Sequence, residues 1–226
     1  MTRVWIYDTT LRDGAQTEGI SFSCEDKLDV LSRLDELGVD FVEGGWPGSN
    51  PRDDEFFERA GRMELANASL TAFGSTRRHG VSPEEDPNLR ALAACSAGWC
   101  CIFGKSWDFH VTDALRIGLD DNLAMIEDSV RFLRESGKRV MFDAEHFFDG
   151  YFANRDYALA ALTAAERGGA EWLVLCDTNG GTLPTDIAAA VEDVLLSTHT
   201  PLGIHCHNDS DLATACTLAA VEAGCS

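Results

Sequence analysis

The chain has 226 residues, of which 45% are hydrophobic and 25% are charged, and its formal net charge at pH 7 is −20. This composition is typical of a globular protein and not of a disordered chain. The negative charge argues against nucleic acid or an anionic membrane as a partner, because phosphate contacts need clustered Lys and Arg side chains. No run approaches the roughly 20 apolar residues of a spanning helix, and the N-terminus lacks a signal peptide's apolar stretch, so we expect a cytoplasmic location.

Short β-rich runs alternate with longer helical patterns along the chain. The first predicted strand covers residues 4–8, and the first predicted helix covers 24–38, where leucines recur every three residues and Gly38 marks the end. Further strands are predicted at 40–45, 69–74, 99–104, 139–145, 171–181 and 201–209. Helices are predicted near 52–65, 86–95, 119–136, 153–168, 185–197 and 210–223. The pattern therefore predicts seven strand–helix units.

Strands that are separated by helices need crossover connections, so the sheet is expected to be parallel. Such a series is typical of a TIM (β/α)₈ barrel or of a doubly wound sheet. Polar residues follow nearly every predicted strand, which favours the barrel, because a barrel collects site residues from most of its strand ends on one rim. The alternation stops where an eighth strand would begin. We therefore expect residues 1–226 to be one catalytic barrel domain that is incomplete, without the eighth unit and the regions that would follow it.

Two histidines end the seventh predicted strand, in the stretch "GIHCHNDSDLA". The period of a strand places His205 and His207 on one face, where two imidazoles are well placed for a divalent metal ion. Asp13, in "YDTTLRDGAQ", follows the first strand and could supply a carboxylate ligand, with Arg12 as a neighbouring cation. A structural histidine pair and a surface turn at Asp13 remain the alternatives. No CxxC pair is present, and most cysteines lie in apolar runs, where a thiol acts as a small hydrophobe.

Six stretches together carry a family resemblance: "DTTLRDGAQ", "FVEGGWPGSNPRD", "FGKSWDFHVTDAL", "FDAEHFFDGY", "CDTNGGTLP" and "HCHND". In this order they resemble the catalytic barrel of the metal-dependent (DRE-TIM) superfamily of acyl-CoA Claisen-condensing enzymes and lyases. That superfamily includes isopropylmalate, homocitrate and citramalate synthases and hydroxymethylglutaryl-CoA lyase. The segments around Trp46, Trp107 and His146 look most like the citramalate synthase branch.

The resemblance implies a role for each matching position. It makes Asp13, His205 and His207 ligands of a divalent cation (Mg, Mn or Zn), Arg12 the catalytic arginine, and Glu43 the carboxylate that supports Arg12, by a bidentate contact in our interpretation. It places His110, Glu145 and Thr178 at the keto acid, together with Arg12. Taken singly, Glu43 is also interpretable as a solvated strand end and His110 as a loop residue. Glu145 is likewise interpretable as a helix-capping acid and Thr178 as a turn residue.

The activity implied is an acyl transfer that joins acetyl-CoA to an α-keto acid, with pyruvate as the expected acceptor and citramalate as the product, in branched-chain amino-acid biosynthesis. A homodimer is also implied by the resemblance. Three alternatives stay open: a 2-isopropylmalate or homocitrate synthase, a lyase of the hydroxymethylglutaryl-CoA type, and an incomplete metal-binding fragment without turnover.

Overall fold

A computed structural model describes residues 3–226 of the chain. Its parallel strands are hydrogen-bonded in chain order, and they are β1 (Tyr7–Asp8), β2 (Phe41–Glu43), β3 (Ser69–Ser75), β4 (Trp99–Lys105), β5 (Arg139–Glu145), β6 (Trp172–Asp177) and β7 (Leu202–Cys206). The α-helices of this part of the chain are α1 (Cys24–Leu37), α2 (Pro51–Ala60), α3 (Pro87–Ala94), α4 (Leu119–Glu135), α5 (Phe147–Ala153), α6 (Arg155–Gly168), α7 (Pro184–Leu195) and α8 (Ala213–Ala223). The curled sheet with helices outside it confirms the prediction of a TIM barrel with seven strand–helix units.

Several helices begin at residues whose side chains accept hydrogen bonds from the free backbone N–H groups of the first turn. At α1, Ser23 and Asp26 form a reciprocal capping box, and Gly38 ends the helix in the left-handed conformation at φ 88°. At α3, the fully buried Asp86 accepts hydrogen bonds from the backbone N–H groups of Asn88 and Leu89. These local signals explain why the predicted helices begin close to the observed ones.

Two hydrophobic clusters hold the sheet. The larger one lies between the outer face of the sheet and the helices, and includes Phe56, Ile126, Phe142 and Phe147 among its fully buried side chains. The smaller one fills the inside of the barrel and consists of Phe41, Phe73, Trp99, Cys101 and Met141. The barrel interior is therefore a packed core below the rim, as is typical of this fold.

The sheet is open between its first and last strands. Within residues 3–226, β1 pairs with β2 and β7 pairs with β6, and no ladder joins β1 to β7. A cavity of about 360 Å³ lies in this part of the barrel, with Trp5, Ile6, Ile204, Val221 and Cys225 in its lining. No helix in the described part of the chain has the length and apolar character needed to cross a membrane.

Strands β2, β6 and β7 end at Glu43, Asp177 and Cys206, earlier than predicted, and three further elements also differ from the prediction. The first strand is limited to Tyr7–Asp8. The backbone N–H of Ile6 donates to the Asp40 side chain, and the Ile6 carbonyl accepts from the backbone N–H groups of Asp40 and Phe41. Helix α2 ends at Ala60 and not near residue 65. The predicted helix at 153–168 is preceded by a separate short helix, α5, and Asn154 stands between them, where its side chain accepts from the backbone N–H of Tyr157.

Candidate metal and substrate site

The first site residues lie on a tight turn after β1. The backbone N–H groups of Arg12, Asp13 and Gly14 all donate to the carbonyl oxygen of Thr9, at 3.1, 2.9 and 3.1 Å. The Asp8 side chain accepts from the backbone N–H of Thr10 at 2.9 Å, which fixes the start of the turn. The turn therefore holds Arg12 and Asp13 at the carboxyl end of β1, on the rim where a barrel collects its functional side chains.

Asp13, His205 and His207 come together at this rim, although they lie at opposite ends of the chain. The Asp13 Oδ2 atom is 3.3 Å from Nε2 of His205 and 3.7 Å from Nε2 of His207. The two imidazole rings are stacked, with centroids 5.1 Å apart and planes inclined by 13°. This matches the expectation that the strand period places both rings on one face.

The donor set fits a divalent cation. One ligand atom from each of the three residues lies within 4.8 Å of the others. Ligands bound about 2.1 Å from a zinc-sized ion stand roughly 3 to 3.5 Å apart, so small side-chain adjustments would bring all three atoms onto one ion. Imidazole nitrogen and carboxylate oxygen are ligands that first-row divalent ions accept.

The charges of this cluster compensate one another. A hydrogen bond with His205, helped by the charge of Arg12, lowers the pKa of Asp13 to about 2 although burial opposes the shift. Burial lowers the pKa of His205, but the hydrogen bond to Asp13 and the charge of Asp143 raise it more, so its pKa lies above the ordinary value. The site thus favours an ionised carboxylate at the position of a cation ligand.

Arg12 is held from below by the fully buried Glu43. Arg12 donates from Nε to Glu43 Oε2 at 2.6 Å, and the other carboxylate oxygen accepts from the Tyr7 hydroxyl at 2.8 Å. The bidentate contact that we predicted is therefore wrong, since Arg12 makes one hydrogen bond to Glu43 and the second oxygen accepts from Tyr7. The guanidinium also lies over the Phe73 ring, 3.7 Å from its centroid. Burial raises the pKa of Glu43 to about 7, against the charge of Arg12 and its hydrogen bond.

The residues predicted to contact the keto acid lie at the ends of β4, β5 and β6. Glu145 ends β5 and forms an ion pair with Lys105 at the end of β4. Thr178 directly follows β6, and its hydroxyl accepts from the backbone N–H of His146 at 2.9 Å. His110 begins a short π-helical turn, residues His110–Leu115, and its ring lies 4.5 Å from that of His146. His146 therefore contacts both Thr178 and His110.

Sequence reasoning did not single out several polar residues of this region. Tyr7, the second partner of Glu43, lies in an apolar run whose pattern predicts a buried strand. Asp143 and Cys176 lie inside the barrel, and one ligand atom of each comes within 4.8 Å of a ring nitrogen of His205. The strand period was the available signal for them, because Asp143 and Glu145 alternate along β5 and share a face. His146 entered the sequence analysis only as the centre of a family-like segment, and its backbone conformation was not foreseen.

Comparison with known proteins decides the family. The family model described as HMGL-like matches residues 3–226. The chain belongs to this HMGL-like family. It is a family of divalent-metal-dependent enzymes, which agrees with the Asp13, His205 and His207 cluster.

Named members of the HMGL-like family resemble the chain over nearly its whole length. An (R)-citramalate synthase of Synechocystis sp. is 53% identical over 231 residues, which cover 99% of this chain and 42% of that protein. An (R)-citramalate synthase of Aquifex aeolicus is 53% identical over 223 residues, 98% of this chain and 42% of that protein. The chain therefore spans about 42% of the length of these relatives.

A solved structure supports the fold of this HMGL-like domain. An HMG-CoA lyase from Acinetobacter baumannii, in complex with coenzyme A and 3-methylmalate, superposes with a TM-score of 0.76. The match covers 100% of this chain and 74% of that chain at 18% sequence identity. At this identity the likeness shows the common barrel fold alone.

Proposed function

We propose that the chain is the catalytic barrel of an acyltransferase that condenses acetyl-CoA with an α-keto acid, pyruvate above all, and that water then hydrolyses the thioester to give citramalate and free coenzyme A. The observation that carries the proposal is the 50–53% identity to several proteins named (R)-citramalate synthase over 97–99% of the chain. Relatives named homocitrate or 2-isopropylmalate synthase are only 31–34% identical. Pyruvate is therefore favoured over larger keto acids.

In the proposed reaction, Asp13, His205 and His207 hold a divalent cation, for which Mg, Mn and Zn are the candidates. When bound, such an ion supplies Lewis-acid polarisation of the keto-acid carbonyl. Arg12 stabilises the negative charge that develops on the keto oxygen as the carbon–carbon bond forms. Its contact with Glu43 leaves both terminal guanidinium nitrogens free of that carboxylate, since Nε makes the 2.6 Å hydrogen bond.

The remaining predicted site residues form the pocket that binds the keto acid. We assign His110, Glu145 and Thr178 to the walls of the pocket, since they lie at the ends of three successive strands on the same rim. Glu145 is paired with Lys105, so this part of the pocket carries little net charge. We further propose that the protein works in the cytoplasm, as a homodimer, with acetyl-CoA as its second substrate.

The test is a thiol-release assay on the product of the full coding sequence. With a divalent metal and acetyl-CoA present, the release of coenzyme A is followed with a thiol reagent across pyruvate, 2-oxoisovalerate and 2-oxoglutarate. Pyruvate-dependent release is expected to exceed release with the larger acceptors. Release that is independent of any keto acid would refute the synthase, and cleavage of hydroxymethylglutaryl-CoA instead would assign the lyase reaction of the structural relative.

Arg12→Ala tests the role of the arginine in the same assay. Turnover is expected to fall below detection while metal binding, measured by calorimetry, persists, because Arg12 is not part of the ligand set. An Arg33→Ala variant is the matched control, since the Arg33 side chain is 79% exposed and pairs only with Glu36 in the described part of the chain.

A further inference from the structure

His146 has a backbone conformation that side chains rarely adopt. Its φ and ψ angles are 55° and 37°, in the left-handed region, and it stands between the end of β5 and the first residue of α5. Two hydrogen bonds hold it there: its N–H donates to Thr178 Oγ1 at 2.9 Å, and its carbonyl accepts from Gly150 N at 3.0 Å. Such a conformation persists where the surroundings enforce it, and it is concentrated at functional sites.

The side chain of His146 is fixed as firmly as its backbone. Its Nδ1 atom lies 3.0 Å from Asp149 Oδ2, and Asn179 Nδ2 donates to both oxygens of Asp149, at 3.1 and 3.0 Å. Because an ionised carboxylate only accepts, the proton of a neutral His146 ring resides on Nδ1 in this arrangement, and Nε2 is left as the acceptor. The His146 side chain is only 16% exposed.

The ring of His146 packs against the ring of His110. Their centroids are 4.5 Å apart with planes inclined by 80°, an edge-to-face arrangement. Trp107 closes the group from another side, with its centroid 4.7 Å from His110 and 6.0 Å from His146. Phe109 adds a third ring, with its centroid 6.0 Å from that of His110, so three rings restrict the orientation of His110.

Charged groups surround His110 from three elements. Burial lowers the pKa of His110, and the neighbouring His146 and Lys105 lower it further, while Glu145 and Asp149 act in the opposite direction. Around neutral pH the ring is therefore uncharged, so it can exchange a hydrogen bond with a ligand and adds no positive charge beside Lys105.

We propose that His146 is a positioning residue, which Asp149 orients and which holds the His110 imidazole in place at the keto-acid pocket. The pocket itself rests on the proposed function. Asp149 and Asn179 then form the outer support of the pocket. His146 acts only through His110, and no reacting atom is assigned to it.

The test uses histidine-labelled protein and NMR, with His146→Asn as the main variant. Asparagine tolerates the left-handed conformation, so the backbone is retained while the ring is lost. The pKa of His110 is expected to rise, because a neighbour that lowers it has been removed. An exposed histidine, changed in His199→Asn, is the control, and it should leave the His110 titration at its wild-type position.

Kinetics of the full-length protein supply the second readout. In His146→Asn the KM for the keto acid is expected to rise by about tenfold or more, with the KM for acetyl-CoA unchanged. Asp149→Asn keeps the ring but weakens its anchor, so it should raise the same KM and weaken the nuclear Overhauser contacts between the two imidazoles. This second variant decides the question if His146→Asn does not fold.

The outcomes separate the two proposals. An unchanged His110 titration together with an unchanged keto-acid KM in both variants would overturn the positioning role, even if the melting temperature fell. Absence of keto-acid turnover in the wild-type protein would instead remove the proposed function. The NMR titration would still decide whether His146 sets the state of His110.

Discussion

Arg12 and Glu43 form a buried ion pair at the base of the rim, with 2.6 Å between Arg12 Nε and Glu43 Oε2. The Glu43 side chain is fully buried and that of Arg12 is 12% exposed. Tyr7 donates to the other Glu43 oxygen and Phe73 lies beneath the guanidinium, so the arginine has one available orientation. The pair therefore contributes to the stability of the barrel and also fixes the position of Arg12 at the site.

We expect Glu43→Ala to destabilise the barrel by about 3–5 kcal/mol, because removing one partner of a buried pair leaves the other charge uncompensated. The Tyr7 hydroxyl also loses its acceptor, which adds to the cost. The measurement is the free energy of unfolding in urea.

The exposed pair Arg33–Glu36 provides the control for this experiment. Its side chains are 79% and 61% exposed and its N–O distance is 2.8 Å, close to that of the buried pair. Glu36→Ala should change the free energy of unfolding by less than about 1 kcal/mol. Equal effects of the two substitutions would contradict a dependence on burial.

We expect single alanine substitutions of Asp13, His205 or His207 each to weaken binding of a divalent cation by at least tenfold. Each removes one of the three donor atoms that lie within 4.8 Å of one another. Isothermal titration with Zn²⁺ and Mn²⁺ on the 226-residue chain measures the affinity directly.

His199→Ala and His79→Ala are matched controls for the metal titration, since both histidines are exposed and neither belongs to the cluster. Their affinities should equal that of the wild-type chain. Affinity that survives in His207→Ala would remove that histidine from the proposed ligand set, whereas loss in all variants including the controls would point to a general effect on folding.

The strand–helix alternation and the proximity of Asp13 to His205 and His207 were accessible from the sequence. The alternation follows from buried strands between amphipathic helices, and a strand period of two places the two histidines on one face. The approach of Asp13 follows from the barrel, which brings the carboxyl ends of its strands to one rim. The supporting role of Glu43 came from the family resemblance, and the structure adds the contact geometry.

Features that depend on three-dimensional neighbours were not accessible in this way. Tyr7 reads as a core aromatic, and nothing local shows that its hydroxyl reaches Glu43 across the barrel. The left-handed conformation of His146 is imposed by Thr178 and the start of α5, against the preference of the residue itself. The separate short helix α5 before the predicted helix was not foreseen, and it depends on Asn154, which ends α5 and caps α6.

We expect Gly150→Ala to disrupt the contact between α5 and the loop after β4. A Cβ at this position would lie 2.6 Å from the carbonyl oxygen of Ser106 and 2.8 Å from Cα of Trp107. Both atoms are backbone, so they cannot rotate away, and the cost is about 1–3 kcal/mol or more. The loss is measured as the change in the free energy of unfolding in urea. Gly181→Ala is the control, because a Cβ there meets no atom within 4 Å and should change stability by no more than about 0.5 kcal/mol.

We expect Cys95 to be the most reactive of the eight cysteines toward iodoacetamide at neutral pH. The neighbouring Cys100 thiol and the charge of Lys138 lower the pKa of Cys95 to about 7, although burial opposes the shift. Both thiols donate to the Leu92 carbonyl oxygen. Burial raises the pKa of six of the other thiols, and the neighbouring Cys95 together with burial raises that of Cys100. Since the thiolate is the nucleophile, brief alkylation followed by peptide mass spectrometry should find Cys95 labelled first, with a rate that rises through about pH 7.

Cys100→Ala isolates the cause of this reactivity. Without the Cys100 thiol the pKa of Cys95 should rise, so alkylation at pH 7 should slow several-fold, while labelling at pH 9 should change little. Cys95 precedes the amino end of β4, away from the rim that carries Asp13, so its alkylation should leave metal affinity unchanged. Labelling of a different cysteine first, or an unchanged rate in Cys100→Ala, would contradict the role of the Cys100 thiol.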